Sequence, residues 1–541
     1  MTAGDADVLI VGGGPTGLLA ACELLRRGVR VRIVDRAPAP AGVPKALSLW
    51  PRVRDILTDV GVGEEVRRAS VPVHAFRYFS DRRPVASLTF TDDLAARQIP
   101  QYETERILTA RLHELGAKVE RGVRLLCLDD VDFSGDIEAS GPVTAVLDHG
   151  DGLVERFRAP FVIGADGAGS TVRGQLGIGF EGRTYEMAFA LVDTYIEGHL
   201  PPDEIAYYQS PTGTLVVVPQ PAGVFRFLSV MPQGAAMSRH DMQQLIDARG
   251  PRGVRITEPV WETVFRVHAR RAAAFRRGRV FLAGDSAHVH SPAGGQGMNN
   301  GLQDAHNLAW KLAAVIQGRS PSTLLDGYGP ERAEATRRIV RDTDLHTRAL
   351  TARSAARVTA RDTAFTLLDR SGAAARLYAP VMAGRRLAYP AERDTQQPSS
   401  RACRARGRLP GAVGPGSVFP RRAASALGSA GPDADPRAWT LLLRPPSGDP
   451  GWAAEAGHVA ARRPGLTVLR PDDGPARADG ICTRPGYYLI RPDGHIAAHG
   501  HARDLNRLEH ELALALTPGA APNTPRTPST STSGALPGRP S

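Results

Sequence analysis

The segment GDSAHVHSPAGGQGMNNGLQDAHNL, residues 284–308, gathers Asp285, His288, His290, Asp304 and His306 among repeated glycines. Two chemistries suit such a set. His288 and His290 stand two apart, share a face of an extended segment, and with the acids could hold a metal ion. A metal site needs three or four converging ligands with supporting partners. Asp304 and His306 fall on a helix instead, so no metal site is expected. The other chemistry is a backbone that lies against something large and flat. Gly294, Gly295 and Gly297 carry no side chain to hold such a partner away. A helix beginning near Met298 would then aim its first amides, and the positive end of its dipole, at that partner.

These residues need elements to position them, and the N-terminus supplies the first. DVLIV reads as a buried strand, GGGPTG as a turn, PTGLLAACELLRRG as a helix, and VRVRIV as a second strand closing on Asp35. Pro15 suits a first helical turn and Gly28 a helix C-cap. Gly12, Gly14 and Gly17 have GxGxxG spacing in that context, which predicts dinucleotide binding. Glycines allow a tight turn and close approach of a pyrophosphate, the helix N-terminus faces its charge, and the acid accepts a ribose hydroxyl. The turn alone does not separate NAD from FAD.

Further along, APFVIGADG (159–167) and GRVFLAGD (278–285) read as strands, and a long helix runs from about 298 to 317. Residues 180–265 shift to strand patterns, EIAYYQS, TLVVVPQ and VFRFLSV, which predict an inserted antiparallel sheet. From 321 to 386 the pattern is helical. A Gly/Pro/Arg-rich stretch, RACRARGRLPGAVGPGS, then precedes a small α/β unit over 438–516. The tail after Thr517 is low-complexity and is expected to be disordered.

Composition narrows the class. In 541 residues, 42% are hydrophobic and 23% charged, so two or three soluble domains are expected. No run reaches the length of a membrane span, and the polar start MTAGDADVLIVGGG, running straight into a strand, is not expected to be a signal peptide. Cys22, Cys127, Cys403 and Cys482 show no CxxC spacing, so neither a disulfide scaffold nor a zinc ribbon is expected, and a cytoplasmic location is. The net charge of +11 invites a nucleic-acid reading. Its arginines are scattered among acids, and the only lysines are Lys45, Lys118 and Lys311, so that reading is set aside.

Three motifs in order, GGGPTG, GADGAGSTVR (164–173) and GDSAHVHSPAGGQGMNNGLQDA (284–305), resemble those of class A FAD-dependent aromatic hydroxylases, the single-component flavoprotein monooxygenases. The resemblance spans roughly residues 5–390. LIRPDGHIA (489–497) is similar to the thioredoxin-like appendix of the phenol hydroxylase branch, many members of which act on aromatic polyketides and related natural products. The resemblance implies an α/β fold with a Rossmann-type FAD-binding domain (1–75, 101–179 and 266–390). It adds an inserted antiparallel-sheet substrate domain (76–100 and 180–265), a thioredoxin-like domain (400–516) and a tail (517–541). Without CxxC the last domain would serve packing or dimerisation.

It also implies site residues. Gly12, Gly14 and Gly17 would hold the pyrophosphate, Asp35 the adenosine ribose, and Arg36 would lie along adenine. Lys45 stands where the family usually has arginine; it offers a point charge without the guanidinium fork, so no bidentate role is expected. Gln101 and the Leu125 backbone would reach the cofactor. Asp166 would serve FAD and the nicotinamide nucleotide, with Arg173 structural, and Asp285 would bind the ribityl chain. Pro292, Gly295, Gly297, Met298 and Asn299 would line the flavin ring, with the backbone of Pro292, Met298 and Asn299 nearest the chemistry. Tyr208, Phe225 and Phe227 are candidates for the substrate pocket, alongside Tyr207.

The chemistry implied is reduction of FAD by NADPH or NADH, formation of a C4a-hydroperoxide with O2, and oxygen transfer to an electron-rich aromatic carbon. No general base stands out. Baeyer–Villiger oxidation, epoxidation and antibiotic-inactivating hydroxylation are alternatives on the same scaffold. The WxWxIP signature of flavin halogenases is absent, and a non-enzymatic flavin-binding regulator is the remaining alternative. The expected partners are a small aromatic molecule and O2, with neither nucleic acid nor membrane, for a monomer or homodimer.

Overall fold

The computed structural model describes residues 6–516, apart from 135, 211–212, 233–236, 293, 351, 353, 391–412, 447–449, 464, 471–480 and 483. The tail 517–541 and most of the Gly/Pro/Arg-rich stretch lie outside the described residues.

The apolar run VLIV forms the strand Val8–Val11, buried at every position. It is central in a six-stranded sheet, in order 276–277, 280–282, 161–164, 8–11, 31–35 and 119–121. Val8 pairs with Phe161 on one side and Val31 on the other, both in parallel. A parallel strand covered on both faces is largely apolar, which is why VLIV and FVIG, the two central segments, read as runs and not as alternations. Helices Pro15–Leu25 and Gly297–Ile316 pack together beside this sheet. Their contact is close. A Cβ on Gly301 would lie 2.5 Å from Thr16 Oγ1 and 3.0 Å from Gly284 Cα. The glycine turn and the 284–298 segment are thereby brought side by side.

The strands after residue 180 belong to an eight-stranded sheet, in order 288–289, 255–272, 180–197, 225–232, 213–219, 204–210, 75–80 and 83–89. Two expectations change here. The sheet is mixed, because Glu204–Ser210 runs parallel to Ala75–Ser80, a strand arriving from an earlier part of the chain. It also extends to Ala272 and takes in His288–Val289, beyond the boundary at 265. Successive side chains alternate between its faces. Tyr208, Leu215, Val217, Phe225 and Phe227 go to one face, under Met242 and Ile246 of helix Arg239–Arg249.

The third unit is a four-stranded sheet, in order 466–469, 439–444, 486–490 and 496–501, with helices Pro450–Ala461 and Leu505–Ala515. It docks on the first through Arg491, which binds Glu331 (Nη1 to Oε1, 2.6 Å), and through Trp439 set edge-on to Trp310 at 5.6 Å. No helix among the described residues is long and apolar enough to cross a membrane.

Candidate active site

A cavity of about 700 Å³ lies between the glycine turn, the 284–298 segment and one face of the eight-stranded sheet. The motif glycines do two separate jobs around it. Gly12 has φ +113°, and a Cβ there would sit 2.3 Å from Ala165 O; on Gly17 a Cβ would sit 1.9 Å from Gly12 O. These two let the turn, the helix and the neighbouring strand pack. Gly14 is different, since nothing lies within 4 Å of its Cβ position and it lines the cavity. The helix starting at Pro15 has no side-chain cap, so its first amides are left for an anion.

The second motif end repeats this design. Gly294 and Gly295 turn the chain at φ +78° and +63°, and a Cβ on Gly295 would meet Ser48 Oγ at 2.5 Å. Gly297 again has open space and lines the cavity, at the start of the uncapped helix Gly297–Ile316. Two helix N-termini with open glycines thus face one cavity. That is a cradle for a long anionic group with a flat ring at its far end, and it fits FAD.

The other expected residues divide into those at the cavity and those behind it. Lys45, Gln101, Asp285, Pro292 and Met298 line it. Gln101 Oε1 accepts the Ala46 amide at 3.2 Å, and its Nε2 donates to Glu105 at 2.8 Å. Asp285 reaches into the cavity with protein around it. That enclosure raises its carboxyl above the usual value, while His288 and Lys45 pull it back. Asp35 accepts the Gly13 amide at 2.5 Å and the Ala37 amide at 2.7 Å, with Arg121 Nη1 3.6 Å away. It holds the turn itself. Arg36 is exposed just beyond it.

Leu125 is buried in the core, on a strand paired with Val143–Asp148. Asp166 caps its own turn, accepting from Ser170 Oγ and from the Thr171 and Val172 amides at 2.5, 2.7 and 3.1 Å. Arg173 donates to the carbonyls of Ser286 and Ala168.

One expectation, the substrate-pocket aromatics, is corrected, and Asn299 gains a side-chain role. Asn299 is fully buried behind the cavity wall. Its Oδ1 accepts the Trp50 amide, and its Nδ2 donates to Ser48 O and Gly295 O, all at 2.8 Å. This side chain clamps the wall from behind. Tyr208, Phe225 and Phe227 are absent from the cavity, because strand alternation sends them to the core under helix Arg239–Arg249. Their neighbours Tyr207, Arg226 and Leu228 face the cavity instead.

Arg226 is the residue that sequence reasoning missed. It is buried and forms a two-pronged ion pair with Asp193 (Nε to Oδ1 2.7 Å, Nη2 to Oδ2 2.8 Å). It also donates to the carbonyls of Pro44 and Lys45. One guanidinium therefore ties the eight-stranded sheet to the loop carrying Lys45. Its flanks gave the signal: in VFRFLSV a charge between two phenylalanines on a strand marks the opposite face.

Two histidines of the opening segment, His288 and His306, pair with buried carboxylates. His288 Nε2 meets Asp304 Oδ2 at 2.6 Å, Arg332 Nε donates to Asp304 Oδ1 at 2.6 Å, and the Gly284 amide donates at 2.9 Å. Burial pushes the Asp304 carboxyl up, but His288 and Arg332 outweigh it and hold it below its ordinary value. His306 Nδ1 lies 2.9 Å from Glu23 Oε1. His290 lines the cavity, and burial pushes its pKa down to about 3.

Residues 5–343 match the family described as FAD binding domain. The 6-methylpretetramide 4-monooxygenase of Streptomyces rimosus is 35% identical over 546 residues, covering 95% of this chain and 94% of that one. Among solved structures, the anhydrotetracycline hydroxylase of Streptomyces rimosus superposes with TM-score 0.72 at 27% identity, over 95% of this chain and 100% of that chain. An aklavinone-11 hydroxylase solved with FAD and aklavinone gives 0.71 at 26%, over 95% and 99%. The chain belongs to this FAD-binding family. Within the family it is a flavin-dependent monooxygenase.

Proposed function

We propose that this enzyme hydroxylates a polycyclic phenolic natural product of the aromatic polyketide type. The observation that carries the reading is the wall facing the flavin end of the cavity. Phe189, Leu191, Tyr207, Val216 and Leu228 present apolar and aromatic surface there, suited to a flat, largely uncharged molecule. Arg226 is committed to Asp193 and the 44–45 loop, so among the described residues this sheet face presents apolar groups and no other cation.

Gly14 and the helix at Pro15 would hold the FAD pyrophosphate, Asp285 the ribityl chain, and Pro292, Gly297 and Met298 the flavin ring. Bound FAD, reduced by NADPH or NADH, supplies the activation of O2. The chain's own contribution is position and dryness. The amides at Gly297 and Met298 would favour negative charge on a ring held there, and one such preorganised donor is worth about 3 kcal/mol. Lys45 sets a positive charge beside Asp285. The apolar wall keeps water from the reacting atoms and orients the aromatic carbon. His290 stays neutral at working pH, so it adds no charge.

The third unit is proposed to be thioredoxin-like. Its helix between parallel strands, followed by an antiparallel pair and a last helix, supports that reading, and its docking contacts support a packing role.

The test is NADPH oxidation by the flavin-loaded enzyme with a panel of phenolic polycycles. The proposal expects stimulated oxidation and a product heavier by one oxygen atom. Stimulation by simple benzoates alone would overturn the substrate class.

A further inference from the structure

The third unit carries a cluster that the flavin chemistry does not use. His499 and His501 stand two apart on the strand Ile496–His501 and so share a face. The pairing with Gly486–Ile490 sets Tyr488 opposite His499 and Gly486 opposite His501. The Tyr488 ring stacks on His499, with centroids 4.0 Å apart and an interplanar angle of 9°. Its hydroxyl also accepts the Cys482 amide at 2.9 Å, so one tyrosine sets both neighbours. The outcome is that the Cys482 thiol and a nitrogen from each imidazole all lie within 4.8 Å of one another. Among the described residues this is the one group of three or more His, Cys, Asp or Glu side chains so arranged.

We propose that Cys482, His499 and His501 form a binding site for a soft divalent transition metal, Zn2+ being the ion the donors fit. One thiolate with two imidazoles is a donor set that zinc takes and that magnesium or calcium does not. The orientation of His499 agrees. Its Nδ1 lies 2.8 Å from Tyr487 O; a carbonyl only accepts, so Nδ1 holds the proton and Nε2 carries the lone pair. A backbone carbonyl commonly fixes the tautomer of a ligating histidine in this way.

Three protein ligands leave a fourth position. A cavity of about 20 Å³, bordered by Cys482 and His499, adjoins the cluster and has room for about one water molecule. Bond lengths of about 2.0–2.3 Å to nitrogen and sulfur place tetrahedral ligands about 3.5 Å apart, so binding draws the three side chains inward by about 1 Å. None of them lines the flavin cavity. The site would fasten the segment at Cys482 to the sheet.

The experiment uses full-length, flavin-loaded protein, stripped with a chelator and equilibrated with Zn2+ alone, then desalted for elemental analysis. About one zinc per chain is expected. Cys482→Ser and His501→Gln should each weaken retention by about tenfold or more at unchanged FAD content, which shows the variants are folded. Co2+ in place of Zn2+ should give tetrahedral visible bands, to the red of flavin absorption, that Cys482→Ser abolishes. Wild-type protein that keeps no stoichiometric zinc would overturn the proposal. So would zinc kept equally by both variants, since the ion would then sit elsewhere.

Discussion

Arg226 and Leu228 show how much depends on which face of a strand a residue takes. Phe227, between them, is fully buried under helix Arg239–Arg249, while Leu228 borders the cavity. Phe227→Ala should cost about 3–5 kcal/mol of stability, read as a lower denaturant midpoint, and leave the substrate KM of the remaining folded enzyme unchanged. Leu228→Phe should do the reverse, raising KM by narrowing the cavity while the midpoint holds. If the two effects were exchanged, the register would be wrong. Asp285 is tested separately. Asp285→Ala should weaken FAD retention by about tenfold, the worth of one hydrogen bond to a polar group, measured as flavin per protein after gel filtration. Tyr207 and Tyr208 explain why the face was not legible: two adjacent aromatics on a strand look alike in type, and only the cross-strand partners decide which is inward. Arg226 could have been read from its flanking phenylalanines.

At the level of elements, the strand–turn–helix at residues 8–25 and the helix start at 297 were plain in the sequence, because each rests on local signals. A buried parallel strand is a continuous apolar run, and a turn against a ligand needs glycine at fixed spacing. What the glycines do individually was not legible, since it depends on atoms brought from far along the chain. Gly17 is packed against Gly12 O, whereas Gly297 has open space beside it. Gly17→Ala should therefore fail to give soluble, folded protein. Gly297→Ala should fold with a normal far-ultraviolet spectrum but lose flavin, because its new methyl group enters the cavity. A Gly297→Ala variant with full flavin content would remove the ring from that place. The side-chain role of Asn299 was hidden for the same reason as the packing of Gly17: its partners Ser48, Trp50 and Gly295 are set by tertiary packing alone.

On the scale of the whole molecule, the third unit and the first are joined by a buried charge network. Glu331 binds Arg491 and also Lys311, whose Nζ donates to Oε2 at 2.9 Å. Burial raises the Glu331 carboxyl, but Arg491 and Lys311 outweigh it and bring the pKa from 4.5 down to about 2. A depressed carboxyl adds stability that is complete above its unfolded value and is lost as pH falls through the folded one. Thermal stability should therefore decline from about pH 4.5 towards pH 2. Glu331→Gln should flatten that part of the profile; an unchanged slope would mean that other carboxylates set it.

The two larger sheets meet at the cavity, and the central claim is that flavin and an aromatic polycycle share it. The most direct measurement is the fate of labelled dioxygen during turnover with NADPH and a phenolic polycycle. The account predicts one labelled atom on a ring carbon of the product and none taken from water. NADPH consumption that yields only hydrogen peroxide across the polycycle panel, or a product oxygen that comes from water, would contradict it.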